Sequence, residues 1–142
     1  MKRKHRELVE KHYTKAREIY KTLFQLVIEI LRHDSVTWEH ELYAVIATLR
    51  PFGLFGDFQG IFKCKEDQKA ITSIANILSK GGTVGHWVAY GHTGSFDSFR
   101  GSFQKKSKDT CGHHCIAFLI MDAIAPFLTT LINDTQGVTA CR

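Results

Sequence analysis

An apolar stripe in the first quarter of the chain sets the strongest condition on its fold. Val9, Tyr13, Ala16, Tyr20, Leu23, Val27 and Leu31 recur at three- and four-residue steps, the spacing that lines up side chains on one face of an α-helix. A helix is therefore expected from about Arg6 to Arg32. Charges fill its other face until Leu26, Ile28 and Ile30 widen the apolar side, so the C-terminal half should pack more deeply. Asp34 and Ser35 offer a turn and an N-cap, and Val36 to Leu49 reads as a second, shorter helix ending before Pro51. The first 21 residues also hold eight Lys or Arg against three Glu. Such a cluster suits a nucleic-acid surface, and it equally suits a solvated helix face.

At 142 residues the chain has the size of one ordinary domain and can bury a core without disulfide staples. No apolar run approaches the roughly 20 residues of a membrane span. Leu23–Leu31 and Ile116–Met121 are the longest candidates, and Gln25 and Glu29 interrupt the first. The basic start is not followed by the apolar stretch of a signal peptide. Cys64, Cys111, Cys115 and Cys141 have no framework spacing. Free thiols in a reducing, intracellular setting are expected.

After Pro51 the texture changes. Aromatics alternate with glycines from Phe52 to Phe62, which predicts tight turns around a hydrophobic nucleus. Within Lys65–Ser79, the positions Ile71, Ile74, Ala75 and Leu78 fit a helix, broken by Gly81-Gly82. His86–Tyr90 and Ser95–Phe99 read as two short strands joined through Gly91–Gly94, a hairpin-like arrangement. Cys111 to Leu131 is apolar enough for a buried helix, with Pro126 kinking or dividing it.

The chemistry concentrates around this last helix. A thiol attacks a carbonyl well only as thiolate, and a helix N-terminus or a neighbouring imidazole favours that form. Cys111 follows the polar loop Lys105–Thr110 and opens the apolar segment, which puts its sulfur at the positive end of the helix dipole. Gly112 removes a side chain where a substrate backbone must come close. Among eight histidines, His86 is the best base, on a strand after two glycines and followed by Trp87. Trp87 is placed at the cleft, packing beneath it or touching substrate. Asp97, eleven residues after His86, can lie beside it across a hairpin and hold the ring's tautomer. Gln104, seven residues before Cys111, can supply a side-chain amide to the developing oxyanion.

The wording of the sequence adds a resemblance. Gly85-His86-Trp87-Val88-Ala89-Tyr90, then Phe96-Asp97-Ser98-Phe99, then Gln104, then the stretch from Thr110-Cys111-Gly112 to Leu119 resembles the adenovirus-type (adenain-like) cysteine proteases. Large DNA viruses, virophages and self-synthesising transposons carry such enzymes, which share a catalytic core with the proteases of ubiquitin-like modifiers. Phe58-Gln59-Gly60-Ile61-Phe62 looks like the family's Phe-x-Gly-Val-Phe segment. The resemblance covers about residues 58–119 and departs from the family twice. Only six residues separate Asp97 from Gln104, where the family has further strand and helix. Lys63–Asp67 stands where an Asp-Glu-Leu-Pro-like stretch is common. Seven chain steps still extend to about 23 Å, so reach is no obstacle.

The resemblance implies an α+β fold with a papain-like cysteine proteinase core. That core would hold a small antiparallel sheet and a central helix starting at the nucleophile, preceded by a helical N-terminal extension. Residues 1–50 form the extension and residues 51–142 the catalytic core, in one compact unit. It implies a cysteine endopeptidase with His86, Asp97, Gln104 and Cys111 as catalytic residues and Trp87 and Gly112 at the substrate. No cofactor or metal is expected. Substrates would be structural proteins of a virus-like particle, often cut after small residues, in host cytoplasm, nucleus or the particle itself. DNA contact through the basic N-terminal helix is a further implication.

Two readings of other classes stand beside it. One is an inactive remnant that binds peptides or nucleic acid. The other is a zinc protein, in which Cys111, Cys115, His113 and His114 are joined by His92 or Cys64. Its spacing is poor, because Cys111 and Cys115 share a helix face that His113 and His114 do not.

Overall fold

A computed structural model of the chain describes residues 2–62, 72–78, 85–100, 103, 104 and 109–132. Helix α1 (Lys2–Leu31) and helix α2 (Glu39–Leu49) open the chain, and a single 3-10 turn, Arg50–Phe52, closes α2. Four strands follow, β1 (Phe58–Phe62), β2 (Thr72–Leu78), β3 (Gly85–Gly91) and β4 (Gly94–Phe96), and then helix α3 (Cys111–Ile124). Residues 126–132 are helical again. The class is α+β, as expected. Cys64, Cys141, the Gly81-Gly82 break, the loop 105–108 and the tail beyond Ile132 lie outside the described residues. Among the described residues, no helix is long and apolar enough to cross a membrane.

The stripe on α1 does what its spacing requires. Ala16, Tyr20 and Val27 are buried, whereas residues 6–11 are exposed. Burial thus deepens along the helix as the apolar face widens. Arg32 ends α1 in the left-handed region (φ 65°). Helix α2 starts at Glu39, three residues later than the sequence suggests. Glu41 explains the delay, since its carboxylate accepts from the Trp38 N–H at 3.0 Å and fixes the first turn there. Val36–Trp38 is instead an extended strap that runs past the start of α3.

The sheet has the order β1-β2-β3-β4 and is mixed, because β1 pairs parallel with β2 while the other pairs are antiparallel. That corrects the expectation of an antiparallel sheet. The helix expected within Lys65–Ser79 is strand β2 over its described part. Thr72, Ser73, Ile74 and Ala75 are buried one after another. A strand covered on both faces loses its two-residue alternation, and the remaining apolar positions then mimic a helical step. Phe58–Phe62 is likewise a strand rather than part of a run of turns.

The β3–β4 hairpin forms, with Ala89 opposite Phe96 and Gly91 opposite Gly94, but its second strand is Gly94–Phe96 rather than Ser95–Phe99, and Asp97 lies beyond it at the start of a turn. Helix α3 is buried from Gly112 to Asp122, as a central helix must be. Ala125 divides it from the helical residues that begin at Pro126. Phe96 on β4 stacks on Phe118 of α3 at 4.7 Å and meets Tyr20 of α1 at 5.6 Å. One core therefore joins residues from the first 50 and from the remainder, and it clamps β4 against the helix that begins with Cys111.

Candidate active site

Three elements converge at the N-terminus of α3. Cys111 is its first residue and is partly exposed as a free thiol. Beside it runs β3, close enough for the Trp87 backbone N–H to donate to the Cys111 sulfur at 3.4 Å. His86, one residue earlier on β3, donates from Nε2 to Asp97 Oδ1 at 2.7 Å. Nδ1 is then the ring nitrogen left for Cys111, whose sulfur acts on the ring to raise its proton affinity. The sequence thus brings together a thiol, an imidazole and a carboxylate that are distant in the chain.

The electrostatics follow from that order. Burial alone lowers the affinity of the His86 ring for its proton. The hydrogen bond to Asp97 and then the Cys111 sulfur outweigh burial and raise its pKa to about 9. Burial disfavours the Asp97 carboxylate, yet the bonds from His86 and from the Phe99 N–H hold its pKa below the ordinary range. The pair is therefore imidazolium and carboxylate at neutral pH. The side chains of His86 and Asp97 keep 15% and 23% of their exposure, so the site is sheltered but reachable.

Asp97 lies just past β4, and its Oδ1 also accepts from the Phe99 N–H at 3.0 Å. This Asx-turn aims the carboxylate and delivers Phe99 to the far side of the imidazole. The two rings stack at 4.1 Å, only 7° from parallel. His86 is consequently held on an edge by Asp97 and on a face by Phe99.

Gln104 is buried, and its backbone N–H donates to the Ser98 carbonyl at 2.9 Å. The Ser98 hydroxyl donates to Gln104 Oε1. That bond sets the amide's orientation, with Oε1 on Ser98 and Nε2 turned the other way. The structure gives Trp87 and Gly112, expected at the substrate, other neighbours. Trp87 is buried and its indole N–H donates to the Thr37 carbonyl at 3.0 Å. A Cβ on Gly112 would stand 2.8 Å from Thr37 Cβ, so the glycine lets α3 pack on the Val36–Trp38 strap.

Ser98, Phe99 and Thr37 escaped the sequence reading. The first two had a local signal, since residues just after a carboxylate in a turn share its geometry. Thr37 had none, because its role comes only from tertiary contact.

The histidines after Cys111 serve the core. His113 is fully buried, with Nε2 on the His33 carbonyl at 2.7 Å and Nδ1 on the Thr37 hydroxyl at 3.2 Å. His114 bonds the Tyr20 hydroxyl through Nδ1 and stacks on Phe24 at 4.2 Å. Cys115 is buried, which raises its pKa and keeps it a thiol. His92 belongs to the other end of α3, where Asp122 accepts from its backbone N–H at 2.8 Å. Eleven helical residues from Cys111 to Asp122 span about 16 Å, so His92 cannot join Cys111 around one ion. Among the described residues, no group of three or more His, Cys, Asp or Glu could hold a metal.

Scans of the chain against protein-family models, curated proteins and solved structures return no match.

Proposed function

We propose that the chain is a cysteine endopeptidase. The observation that carries this reading is His86 bonded to the Asp97 carboxylate, one residue before Trp87, whose backbone N–H donates to the Cys111 sulfur. In the reaction, the Cys111 thiolate attacks the scissile carbonyl and a C–S bond forms. The carbonyl oxygen takes the negative charge, facing the Cys111 backbone N–H and the Gln104 amide. Collapse breaks the C–N bond, and His86 passes its Nδ1 proton to the departing amine. Water then attacks the thioester while His86 takes its proton, and collapse breaks the C–S bond, which releases the acid and restores the thiolate beside the imidazolium. Asp97 keeps the ring's orientation throughout and stabilises the imidazolium.

The resemblance extends the proposal to structural proteins of a virus-like particle as substrates. It also extends to DNA contact through Lys4, Arg6, Lys11 and Lys15, which are exposed on α1. Loss of that binding with rising salt is its check.

A peptide vinyl sulfone tests the peptidase reading. Mass spectrometry should find one adduct, on Cys111, and His86→Ala should lose at least a hundredfold in labelling rate. No adduct in the native chain, or equal labelling in His86→Ala, leaves an inactive remnant or a binding module.

A further inference from the structure

A cleft of about 350 Å³ opens between α1 and the segment leading into α3. Tyr20, Phe24 and Ile28 form one wall, each four residues from the next and so on one helix face. Phe103 forms part of the other wall. At the base, the His114 ring lies against Phe24 and bonds the Tyr20 hydroxyl. Burial, then the neighbouring His113 and His86, lowers its pKa to about 3, so the base is uncharged. Gln104 and Thr110 complete the lining. Gln104 is the oxyanion donor of the proposed reaction, and Thr110 directly precedes Cys111. The cleft therefore lies beside the residue that precedes the proposed nucleophile. Arg17 and Lys21 stand at the rim with Asp34, which leaves it with an excess of positive charge.

We infer that this cleft is the specificity pocket of the peptidase, receiving a large aliphatic or aromatic substrate side chain that lies next to an acidic residue. The inference rests on the peptidase reading given above. Its volume falls at the small end of ligand pockets, which run from about 300 to 1,000 Å³, and so suits one side chain rather than a folded surface. Apolar walls over a neutral base offer nothing to a charged side chain, whose desolvation would go uncompensated. The rim cations complement an acidic neighbour and repel a basic one. The main wall is α1, which lies outside the stretch that bears the catalytic motifs. Selectivity on this account belongs to the N-terminal helix, and chemistry to the hairpin and α3.

The test uses the full chain and two probes. The first is a set of tetrapeptide vinyl sulfones with Leu, Phe, Ala or Lys at each position in turn, flanked by Glu or Lys. Cys111 should be labelled roughly ten- to a hundredfold faster when one position carries Leu or Phe rather than Ala. Ile28→Trp, which fills the cleft, should erase that preference while a small haloacetamide still labels Cys111. Lys21→Glu should reverse the preference for a flanking Glu.

The second probe is acetyl-Glu-Leu-amide added to the Cys111→Ala chain. NMR should show shifts at the Ile28 and Thr110 methyls, and the Thr110 shift should vanish in Ile28→Trp. Labelling that ignores side-chain size at every position overturns the pocket and leaves the peptidase reading intact. Methyl shifts without any labelling support the pocket and overturn the peptidase reading. Neither shifts nor size preference overturns the inference.

Discussion

At the scale of single residues, the site is held by side chains that form and break no bonds with substrate. Asp97 and Phe99 immobilise the His86 ring by an edge and a face. Ser98 does the same for Gln104, by taking its Oε1. An oxyanion donor is effective only when its N–H already faces the charge that develops, so under the proposed reaction Ser98 would act through orientation. We expect Ser98→Ala to lower kcat about tenfold to a hundredfold with little change in KM, as measured on a cleaved peptide. Ser98→Thr, which restores the hydroxyl, should recover most of it. A KM effect alone would remove Ser98 from this role. The cluster of Cys111, His86 and Asp97 was legible in the sequence because each proposed role demands a residue type. Their supports were less legible. Thr37 receives both the Trp87 indole N–H and the approach of Gly112, and nothing local to Thr37 announces either.

At the scale of elements, helix α3 braces the hairpin at both ends. Its first residue meets β3 through Cys111 and the Trp87 N–H. Near its last turn, the buried Asp122 carboxylate accepts from the His92 N–H at 2.8 Å, the Thr93 N–H at 3.3 Å and the Thr93 hydroxyl at 2.6 Å. These bonds fasten the β3–β4 turn and so fix the reach of His86 and Asp97 toward Cys111. The fit is close, since a Cβ on Gly91 would lie 2.6 Å from Asp122 Oδ2. Removal of the carboxylate in Asp122→Ala strands three donors and should cost about 3 kcal/mol in urea unfolding. A loss below about 1 kcal/mol would mean that the turn holds itself. Helix α1 was legible because it keeps one wet and one buried face, which preserves its period, and the hairpin because Gly91 and Gly94 mark its turn. Strand β2 was not, because its consecutive residues Thr72 to Ala75 are all buried, which erases the alternation.

At the scale of the whole molecule, the N-terminal helix is part of the core that carries the site. Ala16 and Val27 are fully buried and Tyr20 nearly so, and Tyr20 is bonded to His114 on α3. Deletion of residues 1–32 should therefore abolish cooperative thermal unfolding, followed by circular dichroism, because α3 would lose its cover. A shortened chain that still melts sharply would show α1 to be an attachment. The fold's purpose, on this account, is to bring a thiol from α3 to an imidazole from β3 and keep the imidazole charged. Its proton is bound more tightly in the folded chain than in the unfolded one. The stabilisation it brings is thus complete below about pH 6.5 and lost as pH rises through about 9. The most direct measurement is an NMR titration of the His86 ring nitrogens. We predict a pKa of about 9 in the native chain, falling in both Cys111→Ala and Asp97→Asn. A ring that titrates near 6.5 and is indifferent to Cys111→Ala would contradict the pairing.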